Sequence, residues 1–383
     1  MLQAKQLLQN RYQLQQCLCQ NAGRQTWLAK DTTQTPPQQV IVKLLAFSPQ
    51  MEWDEFKLFE REAQVLKALN HPRIPKHRDY FSLDEQMGQG LCWFCLVQDY
   101  IPGQSLQQLL DQGQHFTVAQ VRSIAIQVLE ILSYLHGLNP PVLHRDIKPS
   151  NLIFQEDVDA AQGASIYLVD FGAVADPTVV EGVTFTVVGT AGYAPLEQFW
   201  GKAVPASDLY ALGATLIHLL TGTAPADLPQ QNLRIHFRDR VSLSPSFVNW
   251  LESLTDPNLK RRFNCASQAI STLNHLNQYY LSNHRRINRK KISVWSSVKT
   301  FWSWMIKIPI PLGIAFKVLY LVIGIAASLV IPFGMFFSTL IGFCMQDCRA
   351  GEGILMFLMI PFVIVTSVLT LKILAELSNN SDR

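Results

Sequence analysis

Polar and apolar residues alternate from Arg11-Tyr12-Gln13-Leu14 through to Trp27-Leu28-Ala29-Lys30-Asp31, the two-residue period of half-buried strands. Pro36-Pro37 breaks that run. A β-branched strand follows at Val40-Ile41-Val42-Lys43-Leu44-Leu45 and carries a single lysine. The period then lengthens: Phe56, Phe59, Ala63, Leu66 and Leu69 recur at helical spacing and stop at Asn70-His71-Pro72, where proline disfavours a longer helix. Phe81-Ser82-Leu83 and the run from Leu91 to Tyr100 predict paired strands across Gly88-Gln89-Gly90. From Ser105 the helical period takes over. The stretch from Val118 to His136 is amphipathic, with Val121, Ile124, Ala125, Val128, Leu132 and Leu135 on one face. A short strand at Ile166-Tyr167-Leu168-Val169 and helices over 208–220, 247–254 and 266–276 complete an α+β pattern. The front is strand-rich with one helix, and the part behind it is helical.

Beyond Lys307 the pattern loses its polar face. Residues 312–345 are almost wholly apolar, interrupted by Lys317 and Pro332, and 354–373 form a second apolar run containing Pro361. A bilayer core takes roughly 20 apolar residues per helix. The second run fits one span, and the first fits a tilted or kinked span over about 318–343. The polar break at 346–353 then turns on the far side, giving an α-helical transmembrane hairpin.

Charge sharpens this division. The net charge over the 383 residues is only +3, yet no Asp or Glu occurs between Pro257 and Gln346. Arg285, Arg286, Arg289, Lys290, Lys291, Lys299 and Lys307 accumulate there among Trp295, Trp302 and Trp304. Cations and indole rings ahead of a span suit the interface, with anionic lipid headgroups as partner over 285–307. Nucleic-acid binding is not expected of a basic stretch so placed. The positive-inside rule puts the front in the cytoplasm, and the polar leading residues agree. Seven cysteines without framework spacing argue against a disulfide-built fold, and Cys92-Trp93-Phe94-Cys95 reads as strand cysteines in a reducing compartment.

Candidate chemistry concentrates in Val142-Leu143-His144-Arg145-Asp146-Ile147-Lys148-Pro149-Ser150-Asn151, a polar stretch between apolar runs and therefore a loop on buried elements. Its carboxylate, ammonium and amide are a set that phosphoryl transfer uses: one orients a hydroxyl, one neutralises moving charge, one holds a metal. The string resembles the catalytic loop of eukaryotic-type protein kinases, H-R-D-x-K-x-x-N, and the whole of 11–276 is similar to bacterial, cyanobacterial-like Ser/Thr kinases. The resemblance implies a bilobal protein-kinase fold, with 1–100 as the β-rich N-lobe and 101–279 as the helical C-lobe. The charge and apolar pattern, and not the resemblance, sets 280–307 as a basic aromatic linker, 308–377 as the hairpin and 378–383 as a tail.

It also implies ATP and Mg²⁺ as cofactors and protein Ser/Thr hydroxyls as acceptors. Asp146, Lys148 and Asn151 take the catalytic positions, and Asn151 with Asp170 of Asp170-Phe171-Gly172 would hold the metal. Lys43 would hold the α- and β-phosphates and pair with Glu62. Val42, Gln98, Asp99 and Tyr100 stand where the nucleotide is expected, with Cys19, Asn21 and Gly23 above its phosphates. Gly189 to Gln198 resembles the substrate-docking end of the activation segment, with Glu197 pairing with Arg262 and Asp208 bracing the loop. Arg145 before the catalytic Asp goes with control by phosphorylation, and Thr184 and Thr186 are the nearby hydroxyls.

The departure lies in the phosphate-cradling loop. The family pattern is G-x-G-x-x-G, but Cys19, Asn21 and Arg24 replace its glycines, and Gly23 is displaced by one position. Side chains there crowd the phosphates or lift the loop, and Arg24 offers a charge contact instead. Ile41 stands where the family generally has Ala, which narrows the adenine slot. An active membrane-anchored kinase is the first expectation. The alternative is a pseudokinase acting as a membrane-tethered scaffold. The oligomeric state is not legible.

Overall fold

The computed structural model describes residues 2–21, 23–48, 51–88, 90–156, 164–174 and 189–276. The front of the chain forms β1 (Leu7–Leu8), β2 (Tyr12–Asn21), β3 (Arg24–Asp31), β4 (Gln38–Phe47), helix α1 (Trp53–Ala68), β5 (His77–Leu83) and β6 (Cys92–Asp99). The strands make one antiparallel sheet in the order β1-β2-β3-β4-β6-β5. Alternation assigns the faces, since successive side chains of a strand point to opposite sides. Tyr12, Leu14, Trp27, Ala29, Val40, Val42, Leu44, Cys95 and Val97 fill one cluster. Leu45 and Leu96 join Phe59, Ala63 and Leu66 of α1 in another, which continues into the helical lobe. The fixed expectation of strand cysteines holds: Cys95 is buried on β6, Cys92 half-buried, and both are free thiols.

On α1 the buried residues are Phe59, Glu62, Ala63 and Leu66, a single helical stripe with a carboxylate inside it. The helix begins at Trp53, three residues before the first periodic phenylalanine, because Asp54 and Glu55 in its first turn complement the dipole there.

The second lobe runs through β7 (Gln104–Ser105), α2 (Leu106–Asp111), α3 (Val118–His136), β8 (Leu152–Gln155), β9 (Ser165–Leu168), α4 (Leu196–Phe199), α5 (Pro205–Thr221), β10 (Gln230–Gln231), β11 (Arg234–Ile235) and α6 (Pro245–Leu254), and is helical again over 266–276. Ser105 and Thr117 close capping boxes with Gln108 and Gln120, which fixes where α2 and α3 start. By length and apolarity α3 could cross a membrane, but its face from Val121 to Leu135 lies in the core. Residues 206 to 219 of α5 are all buried, which makes it the post the lobe is built around. It starts at Pro205 rather than Asp208, since proline suits the first turn of a helix. β7, β8 and β9 form a small three-stranded sheet beside the loop that carries the candidate chemistry. The expected membrane hairpin, the linker over 280–307, Thr184 and Thr186 lie outside the described residues.

Candidate active site

The polar stretch at 142–151 connects α3 to β8 and is held from below by α5. Asp208, fully buried, accepts the backbone N–H of His144 at 3.0 Å and of Arg145 at 2.8 Å, and lies 2.8 Å from His136 Nε2. Burial pushes the Asp208 carboxyl up, but these donors and charges hold it below the ordinary range, so it stays an acceptor. Arg145 takes a left-handed φ of 67°, which costs a non-glycine residue about 1–2 kcal/mol. The two anchored amides before that turn and, after it, Gln198, whose Nε2 donates to the Arg145 carbonyl at 2.7 Å, keep it there. His144 is buried, and burial lowers its pKa. A neutral ring with its proton on Nε2 donates to the Val169 carbonyl at 3.2 Å and lies edge-on to Phe171, centroids 4.9 Å apart.

The turn so fixed presents Asp146. Its Oδ1 accepts the Thr190 hydroxyl at 2.8 Å, and its Oδ2 lies 2.7 Å from Lys148 Nζ and 3.1 Å from Asn151 Nδ2. Lys148 Nζ also donates to Thr190 Oγ1 at 2.8 Å, closing a ring of acid, cation and hydroxyl. Asn151 spends its amide NH₂ on the Asp146 carbonyl (2.8 Å) and carboxylate. Among the described residues its own Oδ1 has the Ser150 hydroxyl alone, at 3.5 Å.

Asp170 follows β9, and the Val169 N–H donates to the Asn151 carbonyl at 3.0 Å, so the amide and the carboxylate flank one hairpin. Asp170 also has a left-handed φ, 66°, which aspartate tolerates better than most residues. Lys43 Nζ reaches Glu62 Oε1 at 2.5 Å and Asp170 Oδ1 at 2.6 Å, joining sheet, helix and second lobe. Burial disfavours the Lys43 charge, but Asp170 and Glu62 outweigh it and raise its pKa. Lys43 in turn lowers that of Asp170, whose carboxylate stays ionised. Burial favours the neutral acid at Glu62, with Lys43 opposing it. Gly172 permits this closeness: a Cβ there would lie 3.3 Å from Glu62 Oε2.

These donors suit a hard divalent cation. An ionised carboxylate and an amide oxygen with no strong donor are ligands of the kind Mg²⁺ takes. Among the described residues no group of three or more His, Cys, Asp or Glu side chains forms a complete cage.

The positions expected to face a nucleotide divide. Val42 is wholly buried in the cluster on the far face of the sheet, so it does not line the cleft, and Ile41 shares the face of Lys43 instead. A one-residue step along a strand reverses the side-chain direction. Gln98 pairs with Ile41 across β4 and β6, is buried, and has an Oε1 with no hydrogen-bond partner among the described residues. Asp99 turns its carboxylate toward Arg78 and the Lys76 N–H (3.3 Å), away from Ile41's face. Tyr100 stands half-buried in the segment after β6. Cys19 and Asn21 are exposed, and they and Arg24 lie on the Lys43 face through the pairs Cys19↔Thr26↔Lys43 and Asn21↔Arg24↔Leu45.

Two more groups brace the site. Glu197 and Arg262 pair at 2.6 Å, both buried, with Ser207 donating to Glu197 at 2.8 Å and Arg262 stacked over Tyr210 at 5.1 Å. Thr190 and Gln198 lie in the stretch singled out from sequence, but no local signal marks their bonds to Asp146 and Arg145. The threonine after Gly189 is the nearest hint.

The curated relatives this chain resembles are named as Ser/Thr protein kinases. Serine/threonine-protein kinase B of Synechocystis sp. is 35% identical over 229 residues, 57% of this chain and 38% of that one. Serine/threonine-protein kinase C of the same organism is 34% identical over 283 residues, covering 70% and 50%. PknA of Nostoc sp. is 32% identical over 283 residues, covering 70% and 48%. The chain thus spans half the length or less of these three. Among solved structures, the PknI kinase domain of Mycobacterium tuberculosis shares the fold at a TM-score of 0.53 and 24% identity, over 72% of this chain and 99% of that one. The profile described as protein kinase domain matches residues 26–292, from the third strand of the sheet to past the last described helix, and on that match this chain belongs to the protein kinase family.

Proposed function

We propose that the chain is an active, membrane-anchored Ser/Thr protein kinase that passes the γ-phosphoryl of ATP to a protein hydroxyl. The observation that carries this is the joint assembly of Asp146 with Lys148, Asn151 and Thr190, and of Lys43 with Glu62 and Asp170. In this reading Asp146 orients the acceptor hydroxyl and takes its proton as the new P–O bond forms and the bond to the leaving ADP oxygen breaks. Lys148, already against Asp146, balances charge on the transferred group. Lys43, fixed by Glu62, holds the α- and β-phosphates. Asn151 and Asp170 would hold Mg²⁺, which would supply positive charge to offset that of the phosphates. The family in general uses ATP with a divalent metal, and the oxygen donors here favour magnesium.

The pseudokinase alternative rests on the degenerate glycine loop alone. The relatives named as kinases lend it no support. The two apolar runs behind a basic, tryptophan-bearing linker support the anchor, and anionic headgroups are its proposed contact.

Transfer of labelled phosphate from ATP to a generic acceptor, or to the protein itself, tests the proposal. Asp146→Asn should lower the rate roughly 10²–10⁴-fold, the usual worth of a positioned acid or base. Equal signal from wild type and variant would overturn the kinase reading.

A further inference from the structure

The β2–β3 hairpin is zipped where a phosphate-cradling loop is expected to be open. Its pairing runs from Cys19↔Thr26 through Gln20↔Gln25 to Asn21↔Arg24, and the reversal is made at Gly23, φ 79°. The Ala46 N–H then donates to the Gly23 carbonyl at 2.8 Å, tying the tip to β4. Backbone groups engaged in a ladder are not free to cradle a ligand. The three side chains at the glycine positions fall on the face of Lys43, so whatever meets the phosphates from above comes from side chains.

Of these three residues, Arg24 alone brings charged donors. It pairs with Leu45 while Thr26 pairs with Lys43, which makes Arg24 and Lys43 diagonal neighbours on one face, roughly 7–8 Å apart. Its guanidinium is underused. Glu55 Oε1 lies 3.8 Å from Nη2, and with both side chains more than 40% exposed (42% and 43%) such a pair contributes little. Nε is buried and has no hydrogen-bond partner among the described residues. A buried donor left unmet calls for an explanation, and an absent ligand is one. The positive charge of Arg24 also reaches Glu62, so it bears on the same spot as Lys43.

The geometry points to Arg24 as a phosphate-binding residue whose guanidinium meets the β- or γ-phosphate oxygens of the nucleotide held by Lys43. It supplies from a side chain the donors that glycine-loop amides supply elsewhere. The fork of an arginine matches phosphate oxygens two at a time, which suits the task. This inference rests on the nucleotide-binding reading above. It also sets Glu55 and the phosphates in competition for one cation.

Calorimetric titration of the full chain with MgATP and, separately, with adenosine tests it. Arg24→Ala should weaken MgATP binding about ten- to a hundredfold, the range for hydrogen bonds to a charged group. Adenosine binding should not change. Arg24→Lys should recover part of the loss, because it keeps the charge and loses the fork. Glu55→Gln, which releases the arginine, should leave MgATP binding as tight or tighter. Unchanged or tighter MgATP binding by Arg24→Ala overturns the inference. So does an equal loss in Glu55→Gln, which would make the arginine a latch between hairpin and helix. Loss of adenosine binding in both Arg24 variants overturns it as well, since the residue would then support the hairpin itself. Failure of the wild type to bind either ligand is a different result: it defeats the kinase reading, and the inference with it.

Discussion

Thr190 shows how much of the site depends on single hydroxyl geometry. It donates to Asp146 and accepts from Lys148, so its removal takes from both an acid and a cation, already paired with each other, the hydroxyl that binds the two. Thr190→Ala should lower the transfer rate roughly tenfold or more, since hydrogen bonds to charged groups contribute about 1.5–3 kcal/mol. Thr190→Ser should keep most of it, and a variant pair with equal rates would show that the hydroxyl is not used. Forty-four positions separate Thr190 from Asp146, and no spacing rule spans them. That is why this contact was illegible in the sequence while Asp146, Lys148 and Asn151 were plain, being bound to one short loop by the chemistry they share. Lys43 and Asp170 were legible for a related reason: each is a charge inside an apolar stretch, which is tolerable only with a partner, whereas Glu62, among Glu60, Arg61 and Gln64, is marked only by the family resemblance. Val42, expected at the cleft, lies on the far face, because adjacent strand residues look alike in sequence and point opposite ways.

At the scale of elements, α5 and the front sheet make separate claims. Asp208 ties α5 to the loop at 142–151 through two backbone amides, one buried and one part-buried. Asp208→Ala should cost about 3 kcal/mol in denaturant unfolding, given about 1–3 kcal/mol for each buried donor left unmet. A loss under half that would mean the loop finds other acceptors. On the sheet, Arg11 clasps Asp31 across β2 and β3 at 2.7 Å while Tyr12 donates to Asp79 on β5 at 3.0 Å. The Arg11 bond pulls the Asp31 carboxyl down to about 2 from 3.8, against the opposing effect of burial. A carboxyl whose pKa falls on folding stabilises the fold above its unfolded value and loses that contribution as pH drops to the folded one. Wild type should therefore lose stability between about pH 4 and pH 2. Asp31→Asn should be less stable at neutral pH and show a flatter acid limb, and parallel acid curves for the two proteins would count against the clasp. The long elements were legible because fourteen or more residues of helical period leave no other reading. The two-residue strands β1 and β7 were not, since so short a segment carries no period and forms only because a partner strand offers its edge.

For the whole molecule, the uneven distribution of charge is the decisive property. A front with acidic and basic residues in balance can face water on all sides, whereas 312–345 and 354–373 carry almost no group that water would hold. The boundary between them is the cationic, tryptophan-bearing stretch 285–307, and it raises a choice between two kinds of attachment. If the stretch binds headgroups alone, attachment depends on charge and yields to salt or alkali, because each Lys or Arg contributes only about 1 kcal/mol near an anionic surface. If the apolar runs span the bilayer, attachment survives both. Three versions in cell fractionation separate these cases. The full chain should pellet with membranes and stay there through an alkaline carbonate wash. A version ending at residue 307 should pellet at low salt and be released by the wash. A version ending at Asn288, where the first compact unit of the chain closes, should appear in the soluble fraction and still transfer phosphate. Pelleting of that shortest version would refute the anchor, and release of the full chain by the wash would leave lipid headgroups as its only hold.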